Sequence, residues 1–235
     1  MSSFKNDLKR TILAFVTLAS TLPAAAETVE VTPGVQVTKR TYTAPVNEQP
    51  FFGFAAKTAE QKAEDEKFVS AMIGAAGSRE KAFEEATKRG WIAIQAGKVR
   101  EAALRFNQAF LVSPEQSSVY HGFAVIAQAR FSDFDAADEL FKIALKQPNP
   151  VKALKADYGR LLLIAKRPRD AQAVLDQAVK ESPDFSDAWT NLAWARFQNG
   201  DPAAACAAAE EAAKKRPSNN SISDLTAVRS AAQCK

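Results

Sequence analysis

The chain has 235 residues, 46% of them apolar, and a formal charge of +4. That apolar share is ordinary for a globular protein and leaves room for a sizeable core. There is no run of Lys and Arg and no basic stripe interleaved with aromatics, which speaks against a nucleic acid as partner.

Residues 1–26 read as a secretory signal. Lys5, Lys9 and Arg10 form its basic start, residues 11–22 a short apolar stretch, and Ala24, Ala25 and Ala26 a small-residue cleavage site. The stretch is too short to span a bilayer comfortably, so the expectation is cleavage after Ala26 rather than a retained anchor. No cysteine follows it to carry a lipid. The product would be a periplasmic protein without a stable membrane anchor. The removed segment holds three basic residues and one acid, so the mature charge is +2.

Residues 27–57 differ in character from the helical remainder of the chain. Val29, Val31, Val35 and Val37 alternate as in a strand, but Pro33 and Gly34 interrupt them and no partner strand is in view. The segment therefore reads as an extended or disordered lead. Phe51, Phe52 and Phe54 stand out within it. Residues 58–77 read as an N-terminal helix. Thr58 and Gln61 fit a capping box, and Ala59, Ala63, Phe68, Val69, Met72 and Ile73 supply an apolar side. Gly74 and Gly77 are expected to break it, and Ser78 can cap the next helix.

From there the chain repeats. Pro114, Pro148, Pro183 and Pro217 lie 34, 35 and 34 residues apart. Taken as unit ends, they mark residues 83–116, 117–150, 152–185 and 186–219. Gly90, Ala124, Gly159 and Ala193 recur at one offset, and Ala102, Ala136, Ala171 and Ala205 at another. Such small residues let the two helices of a unit cross closely. Phe106 and Leu175 fill the space beside them, with Phe141 doing so in a second unit slipped by one residue. Gly97 and Gly200 suit a left-handed end of a first helix, and each proline stops a second helix.

This pattern resembles the tetratricopeptide repeat, a helix–turn–helix unit with Trp, Leu, Gly and Tyr on its first helix and Ala, Phe, Ala and Pro on its second. The resemblance implies an all-α, right-handed helical solenoid, stable only through stacking of neighbouring units. Residues 220–235 would form its capping helix. Cys206 lies early on the last second helix and Cys234 at the end of the cap. A closing helix that runs back antiparallel makes the two thiols neighbours. In an oxidising compartment that predicts a disulfide, against the alternative of two unpaired thiols on separate faces.

Nothing in the residues points to catalysis or to a cofactor. His121 is the single histidine, and no Cys, His and Asp cluster has metal-ligand spacing. The family's first helices line a concave groove. Carried onto this chain, its inward positions are Thr87, Trp91, Ile94 and Gln95; His121, Val125 and Gln128; Arg160, Leu163 and Ile164; and Asp187, Thr190, Trp194, Phe197 and Gln198. That describes an aromatic and apolar groove with one cation in its middle. The family's clamp for acidic C-terminal peptides needs Lys and Asn where this chain has Thr87 and Trp91. Trp91 and Trp194 would meet a partner or pack between neighbouring first helices, and Phe51, Phe52 and Phe54 could fold back to fill the groove. The resemblance thus implies a non-enzymatic module that binds a protein or peptide segment. Its alternatives are a self-associating scaffold or a regulator of a cell-wall enzyme.

Overall fold

In the computed structural model, which describes residues 27–217 and 219–235, the chain is a helical solenoid preceded by a small hairpin. The predicted signal segment lies outside the described residues. Ten helices succeed one another among those described: α1 (Ala59–Ala76), α2 (Arg79–Gln95), α3 (Val99–Val112), α4 (Ser117–Phe131), α5 (Phe134–Ala144), α6 (Leu154–Ile164), α7 (Pro168–Glu181), α8 (Ser186–Gln198), α9 (Pro202–Lys214) and α10 (Asn219–Ala231). Helices α2 to α9 pair as four helix–turn–helix units, and α10 packs back on α8 and α9.

The local causes lie in single residues. The capping box at Thr58 opens α1: Gln61 N donates to Thr58 Oγ1 at 3.2 Å, and Thr58 N donates to Gln61 Oε1 at 3.0 Å. Helix α1 continues through Gly74, where a break was expected, and ends at Gly77 with φ 86°. Ser78 then caps α2, which begins four residues before the unit boundary read from the prolines. Gly97 and Gly200 take left-handed φ in the turns of the first and last units. Ser132 and Lys166 carry the same conformation in the two middle turns, without the freedom of glycine.

Close crossing is visible at Phe106, which has no exposed surface. A Cβ on Gly90 would stand 2.7 Å from its ring, and one on Gly122 only 2.2 Å from it. The ring is thus held between the backbones of α2 and α4. In the third unit Leu175 stands 2.4 Å from the Cβ position of Gly159. The four answering alanines, Ala102, Ala136, Ala171 and Ala205, are all buried. Between units, Asn191 Nδ2 donates to Ala156 O at 3.0 Å, joining α8 to α6.

Cys206 and Cys234 are bonded to each other, with Cα atoms 5.4 Å apart and a sequence separation of 28. The antiparallel return of α10 over α9 brings them together.

The lead differs from expectation. Strands β1 (Thr28–Thr32) and β2 (Val35–Thr38) pair antiparallel, with Val29 opposite Val37. Pro33 and Gly34, read as an interruption, make the hairpin turn, so the missing partner strand is the other half of the same segment. Strand β2 lies against α5, and beyond it two short 3-10 segments, Val46–Glu48 and Pro50–Phe54, lie against α3 and α4. The phenylalanines do fold back, but onto the side of the second helices. Phe51, Phe52, Gly53 and Phe54 are consecutive left-handed residues, which costs each phenylalanine about 1–2 kcal/mol. Docking of the Phe51 ring among Phe110, Tyr120 and Phe123 offsets that cost.

Candidate functional site

The first helices α2, α4, α6 and α8, with the capping α10, enclose a groove. Its larger part holds about 840 Å³ and is lined by Ile94 and Gln95 of α2, Asp157 and Arg160 of α6, Asp187, Thr190 and Asn191 of α8, and Ser221, Ser223 and Asp224 of α10. An adjoining apolar part of about 190 Å³ is lined by Trp91, Ile94, Val125, Gln128, Phe141, Leu161 and Ile164, with Asp157 and Arg160 at the border between them.

The polar part is wired across helices. Arg160 donates from its guanidinium to Asp224 Oδ2 at 2.5 Å, which ties α6 to α10. Ser221 Oγ donates to Asp187 Oδ1, tying α10 to α8. On the floor, His121 Nε2 meets Asp157 Oδ2 at 2.9 Å. The His121 ring lies 4.5 Å from Trp91 and 5.5 Å from Phe141, and Phe141 stacks on Tyr158 at 5.2 Å. Three carboxylates, Asp157, Asp187 and Asp224, share this part of the groove with one guanidinium, which pairs with Asp224. Arg160 and Asp224 remain 55% and 38% exposed despite their contact, so this wall stays open to an incoming polar group.

The tetratricopeptide repeat family profile matches residues 157–220. No curated protein matches the chain. Among solved structures, PilF of Pseudomonas aeruginosa is similar with TM-score 0.56 at 21% identity, over 66% of this chain and 73% of that one. PilW, a type IV pilus biogenesis factor, is similar with TM-score 0.52 at 16% identity, over 73% of this chain and 83% of that one. The Cut9–Hcn1 hetero-tetramer of the APC/C gives TM-score 0.54 at 18% identity, over 72% of this chain and 34% of that one. Identities this low speak for the fold alone.

Residues 157–220 match the tetratricopeptide repeat, and the helical array as a whole has that repeat's solenoid fold. Within that array the residues carried over from the family's positions divide into two sets. Trp91, Ile94, Gln95, Val125, Gln128, Arg160, Ile164, Asp187 and Thr190 line the two parts of the groove. Yet the fifth position of every unit is a packing position: Thr87, His121, Ala156 and Thr190 are 9, 1, 0 and 2% exposed. Thr87 turns its hydroxyl back onto Phe83 O and Glu84 O, and Thr190 onto Ser186 O. Leu163 is buried among core residues as well. Trp194 and Phe197 are partly buried against the core, 6.0 Å apart, and Gln198 is exposed at the end of α8.

Trp91 has a packing role and also keeps surface on the groove. It packs against Phe106 on the second helix of its own unit at 5.1 Å and against His121 on the next first helix at 4.5 Å, and its remaining surface borders the apolar part. The expected apolar character holds for that part only. Asp157, Ser223 and Asp224 turn the other part polar and acidic, and none of them stood among the expected positions. On α6 the groove stripe is Asp157, Arg160, Leu161 and Ile164, the i, i+3, i+4, i+7 face of one helix.

Proposed function

We propose that this protein is an exported, non-catalytic interaction module that binds a protein segment in its concave groove, as an adaptor or assembly factor in the cell envelope. The observation that carries this reading is the two-part groove. Its apolar part can take aliphatic or aromatic side chains, and its polar wall offers carboxylates and a guanidinium with surface to spare. Few anchors of this kind dominate the energy of an interface. The basic, apolar and small-residue order of residues 1–26 supports export.

The test is co-purification from envelope fractions with the wild-type chain, an Arg160→Glu variant and an Ile164→Asp variant. Both positions are exposed, so the fold should survive either change. Loss of the same partner from both variants is the expected result. An unchanged partner list would remove the groove from the function. Intact mass of the protein recovered from cells would show whether residues 1–26 are removed.

A further inference from the structure

The docking of the lead on the second helices has the build of a recognition site rather than of a core. We propose that the side formed by α3, α4 and α5 is a second peptide-docking site, specific for a carboxylate followed three residues later by an aromatic. Residues 37–54 of one copy exchange into this site on a second copy.

Tyr42 holds the start of the segment, stacked on Phe131 at 3.9 Å and donating to Asp133 Oδ2 at 2.9 Å, and three devices hold residues 47–52. The Glu48 carboxylate is taken by Arg100 through Nε and Nη2 at 3.0 and 2.9 Å, in the two-pronged geometry that selects carboxylates, and Arg130 closes on it from α4. The Phe51 ring enters a pocket of Phe110, Tyr120 and Phe123, at 5.3, 6.1 and 4.7 Å between centroids. Asn107, only 1% exposed, spends its whole amide on the main chain of the segment. Its Nδ2 donates to Asn47 O and Gln49 O at 2.9 and 2.7 Å, and its Oδ1 accepts from Phe52 N at 3.2 Å. A buried amide that reads backbone is a peptide-binding device. Left empty, it would be an unsatisfied polar group, so the site favours being refilled.

The segment itself buries few of its residues. Of residues 27–76, only Val37, Gln49, Pro50 and Phe51 are buried. Its left-handed turn at three phenylalanines works against docking. Ala55 and Ala56, both exposed, separate it from the cap of α1, and α1 buries no residue of its own. Departure therefore breaks little on the α1 side, while on the β2 side it also releases Tyr42 from Phe131 and Asp133 and Thr38 from Glu139. Each copy carries both the segment and the site, so reciprocal exchange closes as a two-fold dimer with no surface left over. Tethering gives the segment an effective concentration of order mM in its own copy, so exchange belongs to high local concentration.

The test uses full-length chain and a fluorescein-labelled synthetic peptide of residues 36–54. A Phe51→Ala chain, whose own segment competes poorly, should bind the peptide at least about tenfold more tightly than the wild type, because the tethered competitor is lost. Peptides carrying Glu48→Ala or Phe51→Ala should lose at least about tenfold in affinity. No binding to a Phe51→Ala chain with native circular dichroism overturns the site. Hydrogen exchange on the wild type decides the matter even if that variant does not fold. Amides of residues 47–54 should open while α3 and α4 stay protected, and opening only together with those helices overturns the proposal. For the second copy, light and 15N-labelled wild-type chains are mixed near ~1 mM and analysed by native mass spectrometry. Mixed dimers that excess peptide dissociates are expected. Absence of mixed dimers, or dimers that resist the peptide, overturns exchange between copies.

Discussion

The sharpest test of the packing concerns Phe106 and the two glycines that grip it. In Gly122→Ala the new methyl would stand 2.2 Å from Phe106 Cε1, well inside any real contact. The ring has little room to retreat, because the α2 backbone at Gly90 lies so near its other edge that even an added Cβ there would stand 2.7 Å from it. Overpacking of this kind costs about 1–3 kcal/mol, and blockage on both sides places it at the upper end. Alanine in place of glycine inside a helix returns about 1 kcal/mol, leaving a net loss of about 2 kcal/mol. For a chain of this size that lowers Tm by about 4–8 °C. Phe106→Ala alone should cost about 3–5 kcal/mol. In that background Gly122→Ala meets no ring, so it should become neutral or stabilising, with a coupling of about 2–3 kcal/mol. Urea unfolding of the four proteins, followed by circular dichroism, measures the cycle. Additive losses would refute the claim that one ring holds α2 and α4 at their separation.

The remaining predictions address the two ends of the molecule. Replacing Cys206 and Cys234 by serine opens a 28-residue loop, which should cost about 3–4 kcal/mol and loosen the last unit and α10 first in hydrogen exchange. Equal loosening of α2 and α3 would contradict a local staple. Gly74 lies inside α1 with nothing near its Cβ position, so Gly74→Ala should stabilise by up to about 1 kcal/mol in the same unfolding assay. Hydrogen bonds from Arg100 first, then from Arg130, lower the Glu48 carboxyl from 4.5 to about 2. A carboxylate lowered in the folded state favours docking above its ordinary value and loses that contribution as pH falls through the window from 4.5 to about 2. Near-UV circular dichroism should show the lead's aromatics loosening across that window, and Glu48→Gln should remove the dependence. An identical acid profile for the variant would sink the assignment.

The repeats were legible because their signals are local and periodic. Small residues recur where helices cross, left-handed glycines where two of the turns fall, and prolines where second helices end. The Cys206–Cys234 pair came from one topological step, the antiparallel return of the last helix. The groove was only half legible. Carrying over family positions found Trp91, Ile94, Val125 and Arg160, which line it, but also Thr87, His121 and Leu163, which are buried. A helical position one residue away points about 100° elsewhere, and sequence periodicity does not resolve that rotation in α6. The lead was misread for a related reason. Its strand pairs within itself, and its fold depends on Asn107, Arg100 and Arg130, some 50 to 80 residues distant.

By itself, the sequence determined the number of units, their phase, their stacking and the covalent closure of the array. Each of these rests on residues that act on their own helix or its immediate neighbour. Only the tertiary structure decided which side chains face outward into the groove and where the aromatic lead comes to rest. Both depend on the rotation of whole helices and on contacts between residues far apart in the chain. Asp157 meeting His121, Asp224 meeting Arg160 and Asn107 gripping the backbone around Phe51 exist only once four units and a cap have stacked.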